Sequence, residues 1–503
     1  MLLDLRLSPT TAARSGDEGV EAATAIVRAA ADGRLDPERA RVACDWIQYR
    51  NNFRSPVDRR NLLDDARPGA GNPAGSGHAG GAGHPAGEGR FELAVDLRQV
   101  SAETIEAALT DALDDEGTPA RRTYLERWSR LTESCIWRFN GLYWQELASW
   151  EKILGKPYEA ALPGGRSGGT QLDATRALID EVFRIWDGLA ERQALPEQLT
   201  VLEIGVGNGD QARVWLDAFV EADEARGSRY YERLHYLMAD YSAHVLDRAR
   251  ENVAGHRERT STLVLDASRP RDTLRFLESR VFLIYISNVY DNLPTEEIVS
   301  LDDTLYRVEA RAYLPNDAVE RIAGGIGAAP GEVARLVNLY LRLGAELMTE
   351  SNPTQFPDAG AAVAFCQQVW AALRLEERYV RLGALDLYEI CEGVTGELLG
   401  PVLDGYGDVR MHVSNGAARS FLETLPLLHP LGLLTCHDLF ATDIAEYRNG
   451  FRGPGKYDGS VVNWVNGAVL AAIANRRGYQ VSFRPFGHGS RSPIMTMTAR
   501  ARD

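Results

Sequence analysis

Residues 199–219, LTVLEIGVGNGDQARVWLDAF, constrain what this chain can fold into more than any other segment. Four apolar positions, Val201, Leu202, Ile204 and Val206, form a short run with the character of a buried strand. Gly205, Gly207 and Gly209 follow at every second position. The next ten residues carry helical spacing, with Ala212, Trp215, Leu216 and Phe219 on one face. Strand, glycine turn and helix predict the first unit of a dinucleotide-type α/β fold. Glycine suits a turn where a ligand approaches the backbone closely and no Cβ intervenes.

Three further apolar runs end in small or polar residues. Residues 234–238 lead to Asp240, Tyr241 and Ser242; residues 261–265 lead to Asp266 and Ala267; residues 281–286 lead to Ser287 and Asn288. An acid at the tip of the second strand suits a ribose diol, because a carboxylate accepts from both hydroxyls. Asp240 lies beyond the usual ~20 residues past the glycines, and the polar segment 221–232, expected as a loop, accounts for the delay. Carboxyl ends of successive strands are where open α/β sheets bind ligands. The spacing E-x-G-x-G-x-G differs from G-x-G-x-x-G and points to S-adenosylmethionine (SAM), which has no pyrophosphate to seat.

The segments VLEIGVGNG, ADYS, VLDAS and ISNVYDNLP, in this order, resemble the successive motifs of class I SAM-dependent methyltransferases. The resemblance covers about residues 171–303 and 416–503. Within that superfamily the chain looks most like the MidA-like branch, which includes protein arginine methyltransferases that assist respiratory complex assembly. In that branch the fourth strand is followed by N-E-x-x-D-x-x-P. Asn288, Asp291 and Pro294 match, whereas Val289 stands where the acid is expected. The segment 453–481 is similar to that branch's P-G-x-x-D element with its following helix and strand. The resemblance implies an α/β fold with a Rossmann-like seven-stranded sheet, closed by an antiparallel hairpin at residues 478–486 and 492–501.

The net charge is −16, and lysine and arginine form no long run. General affinity for phosphate backbones needs clustered cations, so a nucleic-acid partner is disfavoured. The five cysteines are scattered without C-x-x-C spacing, and the histidines without a helical pair, so no metal site is expected. The N-terminal residues lack the apolar core of a secretory signal, and no stretch nears the ~18 apolar residues of a membrane span. A cytoplasmic location is the expectation.

Length predicts several regions. Residues 1–66 are expected as an N-terminal helical region with amphipathic helices at 18–33 and 37–52. Residues 67–90, rich in Gly, Ala and Pro, predict a flexible linker with little area to bury. Residues 91–170 open with a strand at 91–97 and continue as a helical, aromatic-rich cap, either packed on the core or serving as a lid. Residues 171–294 and 416–503 form the two parts of the SAM-binding core, whose fifth strand is 432–440. Between them, residues 295–415 exceed what a crossover needs. Helical patterns at 318–326, 330–348, 359–372 and 385–398 predict an inserted helical substrate subdomain between strands four and five.

Methyl transfer from a sulfonium is an in-line displacement needing alignment and exclusion of water rather than a metal. The expected cofactor-binding residues are Glu203, Gly205, Gly207 and Gly209 under the methionine moiety, Asp240 at the ribose, and Tyr241, Asp266 and Ala267 around the adenine. Asn288, Tyr290 and Asp291 are the catalytic candidates. Asp291 would orient or deprotonate an amine, or else cap a helix after Pro294. The acceptor expected is a protein side chain, arginine above all. The alternatives are small-molecule O- or N-methylation and a SAM-binding assembly factor without transfer.

Overall fold

Seven apolar runs in the second part of the chain pair into one sheet. The computed structural model describes residues 2–6, 12–63, 89–101, 103–114, 121–155, 168–448, 450, 452–486 and 493–502. Most of the expected linker 67–90 lies outside the described residues. The sheet comprises β1 (Leu199–Ile204), β2 (Leu234–Asp240), β3 (Thr260–Val264), β4 (Val281–Ser287), β5 (Leu428–Asp438), β6 (Tyr479–Pro485) and β7 (Met495–Ala501). Its order is β6-β7-β5-β4-β1-β2-β3. β7 runs opposite to the other six strands.

Both faces of this sheet are covered, which is why all six residues of β1 are buried, Thr200 and Glu203 included. Helices Gly168–Glu191 and Asp210–Arg226 pack Phe183, Trp186, Trp215 and Phe219 on one face. Helices Asn415–Thr424 and Gly467–Arg476 pack Phe421, Leu470 and Ile473 on the other. The strand order reverses between β4 and β1, which opens a crevice at their carboxyl ends. The segment expected as a loop at 221–232 is helical as far as Arg226. There Asp223, 5 % exposed, accepts from the Tyr230 and Tyr231 amides at 3.0 Å each and turns the chain into β2.

The first part of the chain departs from the helical expectation. Helix Ala12–Ala31 is present, but the second expected helix is strand Ala40–Asp45, with all six residues buried. Its apolar positions fit either period; parallel pairing with Leu2–Arg6 and Phe91–Asp96 decides for the strand. Strand Val57–Leu63 runs antiparallel to Phe91–Asp96 and meets Arg374–Arg381 in parallel.

Through that pairing the N-terminal strands join strands from residues 295–415: Glu297–Leu301, Thr304–Pro315, Arg374–Arg381 and Val409–His412. The result is a second, ten-stranded sheet. The insertion is therefore mixed rather than helical. Helices Asn316–Ile326, Val333–Ser351 and Ala359–Ala372 match the expected patterns. The fourth, at 385–398, is instead the short strands Glu389–Cys391 and Val394–Thr395 between tight turns.

Buried ion pairs cross the second sheet. Arg60 meets Glu92 at 2.7 Å, Arg54 meets Glu377 at 2.7 Å, and Arg410 bridges Glu377 at 3.0 Å and Glu297. Such pairs add little net stability, but removing one partner strands a buried charge, so they hold the two segments in one register. The aromatic residues of 120–155 pack rather than gate. Trp137, Phe139, Tyr143 and Trp150 are buried with the inserted helices in one cluster. All five cysteines are buried and unpaired.

Candidate functional site

The carboxyl ends of β1, β2 and β4 bring most of the expected residues to one crevice. After β1 the chain turns back on β2: the Gly205 and Val206 amides donate to the Ala239 carbonyl at 2.8 and 3.2 Å. The turn demands Gly205 twice over. Its φ is +75°, and a Cβ there would collide with Cγ2 of Val289. Gly209, with φ +83°, would place a Cβ 2.8 Å from Cα of Ala249, so its absence lets helix Asp210–Arg226 lie close on helix Ala243–Asn252. Val289, standing where the related pattern has an acid, thus fills the space a Gly205 side chain would take.

Asp240 has two backbone partners. One carboxylate oxygen accepts from the Gly207 amide and the other from the Ser242 amide, each at 3.1 Å. It therefore pins the glycine turn to the end of β2, and burial pushes its carboxyl above the usual range despite both bonds. Ser242 in turn caps helix Ala243–Asn252 through the Val245 amide at 3.4 Å. Beside it, the Tyr241 hydroxyl accepts from the Gln145 side-chain amide at 2.8 Å, tying the crevice to helix Ile136–Gln145.

Glu203 is 2 % exposed and accepts from the Tyr236 hydroxyl at 2.7 Å. Burial pushes its carboxyl up to about 8. That position is inside the sheet rather than on the open crevice. Asp266 is exposed past β3, and one of its oxygens accepts from the amide and the hydroxyl of Ser268 at 2.8 and 2.7 Å; Ala267 lies next to it, half-buried.

The end of β4 separates the three catalytic candidates. Asn288 is exposed with φ +51°, and its amide donates to the His437 carbonyl at 2.9 Å. Tyr290 points the other way: it is 2 % exposed within the apolar cluster under the sheet, so it does not face the crevice. Asp291 is 6 % exposed and sits beside Asp438, at the carboxyl end of β5. One Asp438 oxygen accepts from the amides of Val289, Tyr290 and Asp291 at 3.2, 2.8 and 3.3 Å, shaping the turn after β4. Burial and the neighbouring Asp438 charge push the Asp291 carboxyl well above the carboxylate range; burial pushes Asp438 up to about 6. The two titrate as a pair.

Sequence reasoning missed Asp438, which lies within the expected fifth strand 432–440 and ends the observed one, where the carboxyl-edge rule applies. It also missed Asn463, inside the segment 453–481, and Tyr49 and Arg452, which belong to no motif. Asn463 donates its backbone and side-chain amides to the Asp291 carbonyl at 2.8 and 3.2 Å. Tyr49, from the N-terminal strands, is buried within the field of Asp291 and Asp438, which together with desolvation raises its hydroxyl pKa. The Arg452 guanidinium lies 4.0 Å over the ring of buried Trp464. The Tyr49 hydroxyl is engaged by the side chain of Trp464, and two buried oxygens without a protein partner among the described residues, Asn292 Oδ1 and Asn463 Oδ1, lie by this pair. Among the described residues no group of histidine, cysteine and acidic side chains is arranged to hold a metal, and no helix is long and apolar enough to cross a membrane.

No protein-family model matches the sequence, and no curated protein matches it. Among solved structures the chain is similar to an uncharacterized protein from Burkholderia thailandensis, at 11 % identity and TM-score 0.42, over 74 % of this chain and 87 % of that one. A second Burkholderia thailandensis protein, bound to S-adenosyl-homocysteine, is similar at 14 % identity and TM-score 0.40, over 71 % and 74 %. The CcbJ methyltransferase from Streptomyces caelestis is similar at 10 % identity and TM-score 0.30, over 73 % and 99 %. At TM-scores below 0.5 these likenesses decide nothing about the chemistry of this chain, which rests on its own geometry.

Proposed function

We propose that the chain is a SAM-dependent methyltransferase of the MidA-like kind, acting on a nitrogen of a protein side chain, arginine first. The observation that carries the reading is the paired carboxyls of Asp291 and Asp438 at the crevice where the strand order reverses. The residues around the glycine turn suit the cofactor. Each Asp240 oxygen uses one lone pair on a backbone amide, which leaves acceptor capacity for a ribose diol. Asp266 keeps a second oxygen for the adenine amine, with Ala267 and Tyr241 near the ring. When bound, SAM supplies a methyl group on a positively charged sulfur.

The chain's own residues then handle the acceptor. A cationic amine or guanidine entering beside Asp291 stabilises the ionised carboxyl and removes the cost of two adjacent buried acids. With the cofactor bound, Asp291 would hold the N–H and take its proton while the nitrogen bonds to the methyl carbon and the carbon–sulfur bond breaks, the sulfur leaving as a neutral thioether. The unpartnered oxygens of Asn292 and Asn463 add acceptors for further N–H groups. A net charge of −16 favours encounter with a basic acceptor.

The test is transfer of radiolabelled methyl from SAM to a lysate split into macromolecular and small-molecule fractions, followed by acid hydrolysis of the former. Label in methylarginine, lost in Asp291→Asn, supports the reading. Label in the small-molecule fraction alone reassigns the acceptor. SAM binding without transfer to either fraction leaves a cofactor-binding scaffold and overturns the enzymatic reading.

A further inference from the structure

Arg452 stands on a segment that the backbone itself seats. A Cβ at Gly453 would collide with the ring of His412, and one at Gly455 with the ring of Tyr49, so at both glycines the chain lies directly on those side chains. The Lys456 amide donates to the Asn51 carbonyl at 2.9 Å and joins the segment to the N-terminal strands.

The Arg452 side chain is held differently from the buried arginines of the second sheet. Arg54, Arg60 and Arg410 each meet a glutamate. Arg452 is half-buried, and among the described residues no carboxylate pairs with it. Its Nε donates to the Glu446 carbonyl at 3.0 Å, the one hydrogen bond of its guanidinium among the described residues. What else holds it is the face of Trp464, 4.0 Å below, in a ring that is 6 % exposed. A cation is attracted to that face, the more so where water is excluded.

This ring adjoins the two acids. Trp464 follows Asn463, whose backbone and side-chain amides hold the Asp291 carbonyl at 2.8 and 3.2 Å. Its side chain engages the Tyr49 hydroxyl, which lies in the field of Asp291, Asp438 and Arg452 together. An aromatic face that already carries a guanidinium therefore stands beside the carboxyls assigned to the acceptor nitrogen.

We propose that the face of Trp464 is the seat for the cationic group of the methyl acceptor, and that Arg452 fills it as an internal stand-in until an acceptor displaces it. The proposal rests on the transferase reading and adds to it a residue that selects guanidinium over neutral side chains. One hydrogen bond and no paired acid leave Arg452 free to swing outward, which uncovers the ring. The apparent affinity for an acceptor is then reduced by the fraction of chains whose seat is open.

The test is calorimetric titration of the full chain, without turnover, with a blocked glycine pentapeptide carrying one central arginine. Its counterpart carries citrulline, which is neutral and of nearly the same shape. Arg452→Gln should bind the arginine peptide about tenfold more tightly than the parent protein, the gain if Arg452 fills the seat in roughly nine chains of ten. The citrulline peptide should show no gain. Glutamine keeps an N–H for the Glu446 carbonyl, so urea melts should change little. Arg448→Gln removes the same charge from an exposed position four residues away, leaves the ring covered, and should hold affinity within about twofold. Adding Trp464→Leu to Arg452→Gln should erase the gain. Adding Trp464→Phe, which keeps a less attractive ring in the core, should keep part of it and decides the point if the leucine variant does not fold. Four results overturn the proposal: affinity unchanged in Arg452→Gln, an equal gain for citrulline, an equal gain in Arg448→Gln, or no saturable binding of the arginine peptide by Arg452→Gln up to about 10 mM. No methyl group moves in these titrations. A chain that follows the expected pattern but transfers none keeps its guanidinium seat and overturns the transferase reading alone.

Discussion

Replacing Glu203 by glutamine isolates one buried acid in a measurement of stability against pH. Glu203 is 2 % exposed, and its carboxyl is pushed up to about 8 from an ordinary value of 4.5. The folded-state pKa is the raised one, so between these values the folded chain holds a proton that the unfolded chain has released. The favourable contribution is fully present below about 4.5 and is lost as pH rises through about 8. At 1.36 kcal/mol per pH unit, the span corresponds to about 5 kcal/mol. From pH 5 to pH 8 the loss is about 3–4 kcal/mol. Glutamine keeps an oxygen for the Tyr236 hydroxyl and has no charge to desolvate. Urea melts at pH 5, 6, 7 and 8 should therefore show the variant gaining about 3–4 kcal/mol on the parent protein across the series. Other titrating groups cancel in the difference. Curves that stay parallel within about 1 kcal/mol would refute the reasoning, because Glu203 would then ionise as freely folded as unfolded.

Gly205→Ala should destabilise by about 1–2 kcal/mol for the left-handed backbone alone. The collision with Val289 adds to this, and Val289→Ala in the same background should recover only the added part in urea melts. Asp240→Ala removes the acceptor of two backbone amides; it should cost about 1–3 kcal/mol per unpaired amide that water does not reach, and weaken SAM binding measured by calorimetry. Asp291→Asn should leave SAM affinity within about threefold and lower methyl transfer by about 10²-fold or more, the scale of a lost acid–base group. In that variant the pKa of Asp438, followed by carboxyl NMR, should stay near 6, because burial rather than the Asp291 charge raises it. Tyr290→Phe should change transfer little, since that ring lies under the sheet.

The parallel sheet was legible because burial on both faces leaves a plain signature. The runs of β1, β2 and β4 are mostly apolar on both faces and stop at small or polar residues on the edge where ligands bind. The glycine turn was legible for a related reason: conformations with positive φ at Gly205 and Gly209 favour glycine on steric grounds that hold in any context. The position of Asp240 was readable, but its hold on the Gly207 amide was not, because it depends on how far the turn folds back on β2.

The second sheet was not legible. Strand Thr304–Pro315 carries arginine and glutamate among its apolar residues, and charged positions ordinarily face water. Here Glu297, Glu377 and Arg410 are buried because arginines and glutamates from segments some 300 residues apart neutralise one another. The same distance hides the join between Val57–Leu63 and Arg374–Arg381, and the approach of Tyr49 to Asp291 and Asp438. Local sequence by itself determined the elements whose conformation is set by backbone sterics and by one-dimensional apolar pattern. Which face Tyr290 takes, what Val289 fills, and which buried acids lie side by side were decided only by tertiary structure, since each depends on a partner that the chain brings near from far along its length.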